Sequence, residues 1–212
     1  MKIALFGASG MIGSRILGEA LARGHSVTAI VRDPQRVAPH PAVTAVAGDA
    51  TDAASIAGTA AGADIAISAY SPGSGAQDDL SKNAVALLDG LAQAGVSRVI
   101  VVGGAGSLEV APGRLLVDTP GFPEAYKARA RAQSAALDVL RAAQGSAVDW
   151  TFVSPAATIG PGTRTGKYRV GGDQLLVGAN GNSEISAEDY AAGILDEAEK
   201  PTAPNRRISL AY

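Results

Sequence analysis

The segment Gly7-Ala8-Ser9-Gly10-Met11-Ile12-Gly13 constrains this chain more than any other. It follows the apolar run Lys2–Phe6 directly and opens the stretch Met11–Arg23, whose residues suit a helix. Glycines at a G-x-x-G-x-x-G spacing between a strand and a helix meet three steric needs. One permits the tight turn, the next lets backbone approach a pyrophosphate, and the third lets helix and strand pack closely. The helix start then offers unpaired N–H groups and a positive dipole end to phosphate. Gly7, Ser9, Gly10, Met11, Ile12 and Gly13 are therefore the predicted dinucleotide contacts.

The rest of the chain repeats the strand–helix alternation. Short, near-continuous apolar runs at Val27–Val31, Val43–Ala47, Asp64–Ser68, Arg98–Val102 and Trp150–Val153 read as strands buried on both faces. Helices are predicted between them at Ala53–Thr59, Asp79–Ala94 and Pro123–Ala143. Asp79–Ala94 places Leu80, Ala84, Leu87, Leu88 and Leu91 on one face. This order predicts an α/β fold: a single doubly wound parallel sheet of Rossmann type with right-handed crossovers.

After Val153 the pattern changes. Residues 154–183 are rich in glycine and lack helical periodicity. Lys167–Val170 and Gln174–Val177, flanking Gly171-Gly172-Asp173, predict a hairpin. A capping pair, Ser186 and Asp189, introduces a last helix at Ala187–Lys200, and Arg207–Leu210 reads as a final strand. Residues 1–212 are expected to form one domain, with 154–183 a substrate-side insertion over one end of the sheet.

Composition narrows the function classes. A formal net charge of −2 supplies no basic field for nucleic acid. The absence of cysteine removes thiolate nucleophiles and cysteine-bearing zinc sites, and two histidines make a multi-histidine metal site improbable. The longest charge-free apolar stretches, such as Ile3–Ser14, fall well short of the ~20 residues that span a bilayer. The expectation is a cytoplasmic protein acting on a small molecule, with no metal, nucleic acid or membrane partner. A homodimer packed through Asp79–Ala94 and Pro123–Ala143 is open.

The end of the second strand bears on cofactor choice. NAD sites usually place an acid here for the ribose 2′-OH, and NADP sites place an arginine near the 2′-phosphate. Arg32 follows the strand at once and Arg36 is close behind, while Asp33 suits the cap of a short helix begun by Pro34. NADP(H) is therefore favoured over NAD(H). Asp49, after the third strand, is placed to reach the adenine. Ala69 and Tyr70, after the fourth, are placed along the pyrophosphate and inner ribose.

Taken together, these residues resemble the atypical short-chain dehydrogenase/reductase superfamily over nearly the whole chain. The nearest likeness is to its NADH-flavin reductase group, relatives of biliverdin reductase B. Beyond the first glycine motif the likeness rests on Val101-Val102-Gly103-Gly104-Ala105-Gly106-Ser107-Leu108 and Ser154-Pro155-Ala156. It extends through Pro161-Gly162-Thr163-Arg164-Thr165-Gly166-Lys167-Tyr168-Arg169 and Ile185-Ser186-Ala187-Glu188-Asp189-Tyr190-Ala191. The resemblance implies NAD(P) lying across the strand ends, with backbone at Pro155 and Ala156 orienting the nicotinamide carboxamide.

The usual tyrosine with a lysine four residues later is missing. Tyr126 is followed by Lys127, and position 130 is Ala130. Neighbours one apart on a helix do not face each other, so Lys127 is no substitute. That disfavours alcohol–ketone chemistry and epimerisation, which need a positioned acid or base. A flavin accepts hydride with less help, so an NAD(P)H-dependent oxidoreductase passing hydride to a flavin or quinone is expected. The alternative is a non-catalytic NADP-binding redox sensor. Ser107, Lys167 and Tyr168 are the catalytic candidates. Ser107 either faces the nicotinamide or caps a loop. Arg164, Lys167, Tyr168 and Arg169 either form a cationic lid over an anionic substrate or lie along the surface. Asp189 and Tyr190 read as the first turn of the last helix, Trp150 reads as packing, and His25 and His40 are not placed as bases.

Overall fold

The computed structural model describes residues 1–73, 76, 78–143 and 145–212. In chain order it runs β1 (Lys2–Phe6), α1 (Met11–Ala22), β2 (Ser26–Val31), β3 (Val43–Ala47), α2 (Ala53–Ala60) and β4 (Ile65–Ser68). There follow α3 (Asp79–Ala94), β5 (Arg98–Val102), the short β6 (Glu109–Ala111) and β7 (Arg114–Leu115), and α4 (Glu124–Ala142). The chain ends with β8 (Asp149–Pro155), β9 (Thr158–Gly160), β10 (Arg169–Gly171), β11 (Glu184–Ser186), α5 (Ala187–Glu199) and β12 (Arg206–Ala211).

Eight strands form one sheet in the order β10-β12-β8-β5-β4-β1-β2-β3, parallel throughout except for β10. The predicted doubly wound Rossmann-type sheet is the one observed. The central strands β1, β4 and β5 are largely apolar on both sides because each side is covered. On one face, Ile3, Leu5, Ile67, Val153 and Leu210 pack beneath α1 and α5. On the other, Ala4, Phe6, Val99, Trp150 and Phe152 pack beneath α2, α3 and α4. The predicted stripe of α3 is buried, and the helix ends at Gly95, whose φ of 72° is the left-handed conformation of a helix terminus. Asp33 caps a single 3-10 turn at Pro34–Arg36, accepting from the Gln35 N–H at 3.1 Å.

The predicted hairpin in the glycine-rich region does not form. Arg169–Gly171 instead pairs antiparallel with β12, and Gln174 bridges in parallel to Glu109. The free edge of β12 offers a full ladder, whereas a two-stranded hairpin on its own gains little. Gly171 suits this edge, since a Cβ there would stand 2.8 Å from the Ser209 hydroxyl. Among the described residues, no helix is long and apolar enough to cross a membrane.

Candidate functional site

The strand order reverses between β1 and β4, which opens a crevice above their carboxyl ends. The first glycine turn stands at this point. Gly7 has φ 77°, and a Cβ on it would lie 2.5 Å from the Ala69 carbonyl oxygen. Only a glycine lets β1 turn so close beside the end of β4. Gly10 is exposed, and a Cβ there would meet nothing nearer than the Gly7 carbonyl oxygen, 3.4 Å away. No side chain caps α1 at Gly10, and its first turn holds no acid. The first-turn N–H groups of Met11, Ile12 and Gly13 have no partner within the helix, by the geometry of any helix start. Bare backbone, open space and a positive helix end fit a pyrophosphate. Gly7, Ser9, Gly10, Met11, Ile12 and Gly13 together form the turn and the helix start at this point. Met11 is 45% exposed beside this turn.

Arg32, Asp49 and Tyr70 follow β2, β3 and β4 at the same edge of the sheet. Burial is the main cause that raises the Tyr70 hydroxyl above its ordinary pKa. The carboxylates of Asp79 and Asp49 add to the rise and Arg32 opposes it. All three charges thus act on the Tyr70 hydroxyl. Asp49 is occupied locally: its Oδ1 accepts from the Thr51 N–H at 2.8 Å and the Thr51 hydroxyl at 2.7 Å. Those two bonds hold its carboxyl below the usual carboxylate range. Ala69 donates its N–H to the Phe6 carbonyl at 2.9 Å, which fixes the crevice wall. Pro155 closes β8 and Ala156 follows it, both buried.

The three catalytic candidates are not brought together. The Ser107 hydroxyl accepts from Arg207 Nη1 at 2.8 Å, and the Ser107 carbonyl accepts from the same nitrogen at 3.0 Å. Arg207 stands in register with Phe152, so it projects to the face beneath α4. Tyr168 lies on the opposite face, against Gly193 of α5, and its hydroxyl donates to Asp196. Burial, then that carboxylate, push the Tyr168 hydroxyl far above its ordinary pKa. Lys167 is exposed beside it.

The cationic lid is also not observed. Arg164 holds Glu19 through two bonds of 2.7 Å. Glu19 lies eight residues into α1 from Met11, about 12 Å along the helix axis. Arg169 binds the carbonyls of Tyr212 and Val177. The strap 163–168 is instead pinned by Asp189, which is fully buried and accepts from the Thr165 and Gly166 N–H groups at 2.9 and 2.7 Å. The hydroxyls of Thr165 and Tyr212 donate to its other oxygen at 2.6 and 2.8 Å. Ser186 caps α5 by accepting from the Asp189 N–H at 3.0 Å. Tyr190 is buried and donates to the Val153 carbonyl at 2.5 Å. Asp189 and Tyr190 thus hold the start of the last helix in place, the role their position there predicted.

His25 sits between the chain's amino group and Glu199, and His40 accepts from the Ala42 N–H. Trp150 is core. One pair was missed by sequence reasoning: Arg129 Nη2 donates to the Ser71 hydroxyl at 2.9 Å, joining α4 to the loop after β4. The two residues lie 58 positions apart, and no local pattern links them.

A parallel sheet in this order, with a glycine turn and an uncapped helix at the switch point, defines a Rossmann-type nucleotide-binding protein. Residues 7–201 match the NAD(P)H-binding family model, and the chain belongs to that family. A solved structure from Burkholderia pseudomallei, assigned as an exported protein, is 52% identical with a TM-score of 0.91 and full coverage of both chains. One from Bacteroides thetaiotaomicron, assigned as an epimerase, is 41% identical with a TM-score of 0.92, covering 100% of this chain and 96% of that one. One from Streptococcus pneumoniae, assigned as an NADH-flavin reductase, is 38% identical with a TM-score of 0.86, covering 100% and 99%.

Proposed function

We propose that the protein is an NADPH-dependent reductase that passes hydride to a small conjugated acceptor such as a flavin or quinone. The observation that carries this reading is the glycine cradle at the switch point combined with the packing of α4. Position 130, where a reductase of the tyrosine–lysine type needs its lysine, is Ala130, and it packs against Gly106. A Cβ on Gly106 would lie 2.6 Å from the Ala130 Cβ, so helix and loop are in direct contact there. Ala130 is itself buried in this contact. Epimerisation needs a strong positioned base, and this arrangement disfavours it.

The glycine turn and the α1 start would hold the pyrophosphate, and Arg32 would face the 2′-phosphate. When bound, NADPH supplies a hydride, so that NADPH, an oxidised flavin and one solvent proton give NADP and the dihydroflavin. This chain's residues are then needed for orientation and electrostatics rather than for a buried acid.

The test is a thermal shift with NADPH, NADP, NADH and NAD, followed by nicotinamide absorbance with FMN added. A dinucleotide at one hundred times its dissociation constant stabilises by about 2.7 kcal/mol, roughly 5–10 °C for a chain of this size. A shift selective for NADPH with flavin-dependent oxidation is expected. A shift without oxidation of any flavin or quinone overturns the reductase reading in favour of a redox sensor.

A further inference from the structure

A reductase of the kind proposed above needs its acceptor held over the carboxyl ends of β4, β5 and β8. The cations that the sequence offered for this task are elsewhere: Arg164 is committed to Glu19, and Arg169 to backbone carbonyls. Helix α4 supplies a different one. Its face toward the loop after β5 is fixed by two contacts, Ala130 against Gly106 and Gln133 against Gly104. Residues three, four and seven apart share a helix face. Tyr126 and Arg129 therefore continue this face toward the α4 amino end, which lies on the side of the sheet where β5 ends.

Arg129 reaches Ser71 from there. Ser71 is two residues beyond Ala69, whose carbonyl oxygen borders the Gly7 turn, and two residues of chain span at most about 7 Å. The guanidinium thus lies beside the loop that leaves the crevice wall at Ala69. The other cations along α4 have carboxylate partners: Lys127 with Glu124 at 2.7 Å, Arg131 with Asp118 at 3.4 Å, and Arg141 with Asp173 at 2.8 Å. Among the described residues Arg129 makes its one hydrogen bond to a neutral hydroxyl. A guanidinium has five N–H donors in a planar fork that matches a phosphate or carboxylate. Most of that capacity remains. Tyr126, three residues earlier on the same helix face, is 62% exposed.

We propose that Arg129 is the specificity-determining residue for the acceptor and binds an anionic tail, phosphate or carboxylate, on a planar conjugated molecule. The protein then discriminates acceptors by their charge more than by their ring system. Ser71 holds the guanidinium in place between turnovers.

Two matched pairs of probes test this. FMN and riboflavin share one ring system and differ in a phosphate. Biliverdin and its dimethyl ester differ in two carboxylates. Affinity is measured on NADP-saturated protein by fluorescence or absorbance titration, and KM is measured with NADPH. Wild type is expected to prefer the anionic member of at least one pair by about tenfold or more, the scale of one charge-assisted hydrogen bond. Arg129→Ala is expected to abolish that preference by weakening only the anionic member, and Arg129→Lys to restore part of it. Which pair responds identifies phosphate or carboxylate. A wild type that treats both pairs alike, or an Arg129→Ala protein that weakens charged and neutral members equally, overturns the proposal. Loss of turnover with all four probes, with the binding preference intact, would instead count against the reductase reading. Arg129 is exposed, so a melting temperature within about 2 °C of wild type is expected for both variants.

Discussion

Gly13 faces Gly7 across the first turn of α1 with no room for a side chain between them. A Cβ on Gly13 would stand 2.0 Å from the Gly7 carbonyl oxygen and 2.8 Å from its carbonyl carbon. Both obstacles are backbone, so nothing flexible can yield. Gly10 differs, because a Cβ there meets only an ordinary contact at 3.4 Å. The two glycines therefore fail differently. Gly13→Ala is expected to destabilise the fold by about 1–3 kcal/mol, as overpacking does, and to lower the melting temperature of the ligand-free protein. Gly10→Ala is expected to change that temperature little and to weaken NADPH binding by about tenfold or more, since the new methyl occupies the approach to the helix start. Paired melting and binding curves separate the two.

The Asp189 carboxylate gives the strap 163–168 a pH dependence. Burial opposes its ionisation, but the donors from Thr165, Gly166 and Tyr212 outweigh burial and hold its pKa below the ordinary value. A carboxylate depressed in the folded state contributes stability that is complete above its unfolded pKa, near 3.9. That contribution is lost as pH falls through the folded value. Asp189→Asn is expected to cost about 1.5–3 kcal/mol at pH 7, the range for a hydrogen bond to a charged group. The gap between wild type and variant should narrow below about pH 4 in denaturant titrations. A gap independent of pH would mean that the neutral acid serves as well as the ion.

The sequence carried the sheet and the nucleotide turn because both depend on local signals. Strands buried on two faces read as apolar runs, and the spacing of Gly7, Gly10 and Gly13 has a steric cause within one turn. The glycine-rich region was less legible. Lys167–Val170 carries a strand pattern, but its partner is the edge of β12, some forty residues on, and local turn chemistry at Gly171-Gly172-Asp173 suggested a nearer one. The side chains that the sequence offered for an acceptor were less legible still. The destinations of Arg164, Tyr168 and Ser107 are set by Glu19, Asp196 and Arg207, which come from other layers of the fold. Arg129 and Ser71 meet only because α4 and the end of β4 share an edge.

Tyr168→Phe and Ser107→Ala follow from those destinations. The Tyr168 hydroxyl is bound to Asp196 on the α5 side, and the Ser107 hydroxyl to Arg207 on the α4 side. Each removal leaves a polar partner underbonded, at a cost of about 1 kcal/mol. For Ser107→Ala the backbone carbonyl still accepts from Arg207, which limits the loss. Each variant is expected to melt a few degrees lower and to keep NADPH affinity and kcat within about twofold of wild type. A tenfold fall in kcat at unchanged melting temperature would return that residue to the reaction.

The proposed preference for NADPH is tested at Arg32. It is exposed at the end of β2, with Asp33 already committed to capping the turn at Pro34–Arg36. An acid that met the ribose 2′-OH would instead favour NAD. Arg32→Glu replaces a cation with an anion where the 2′-phosphate is expected. NADPH should lose both an attraction and gain a repulsion, so its affinity is expected to fall by about a hundredfold, two charge-assisted steps of roughly tenfold each. NADH has a neutral 2′-OH there, and its affinity should hold or rise. Raising the salt concentration should weaken wild-type NADPH binding more than NADH binding, because this contact is exposed and screened. Equal losses for the two cofactors in the Arg32→Glu protein would place the 2′-phosphate elsewhere, with Arg36 the next residue to replace.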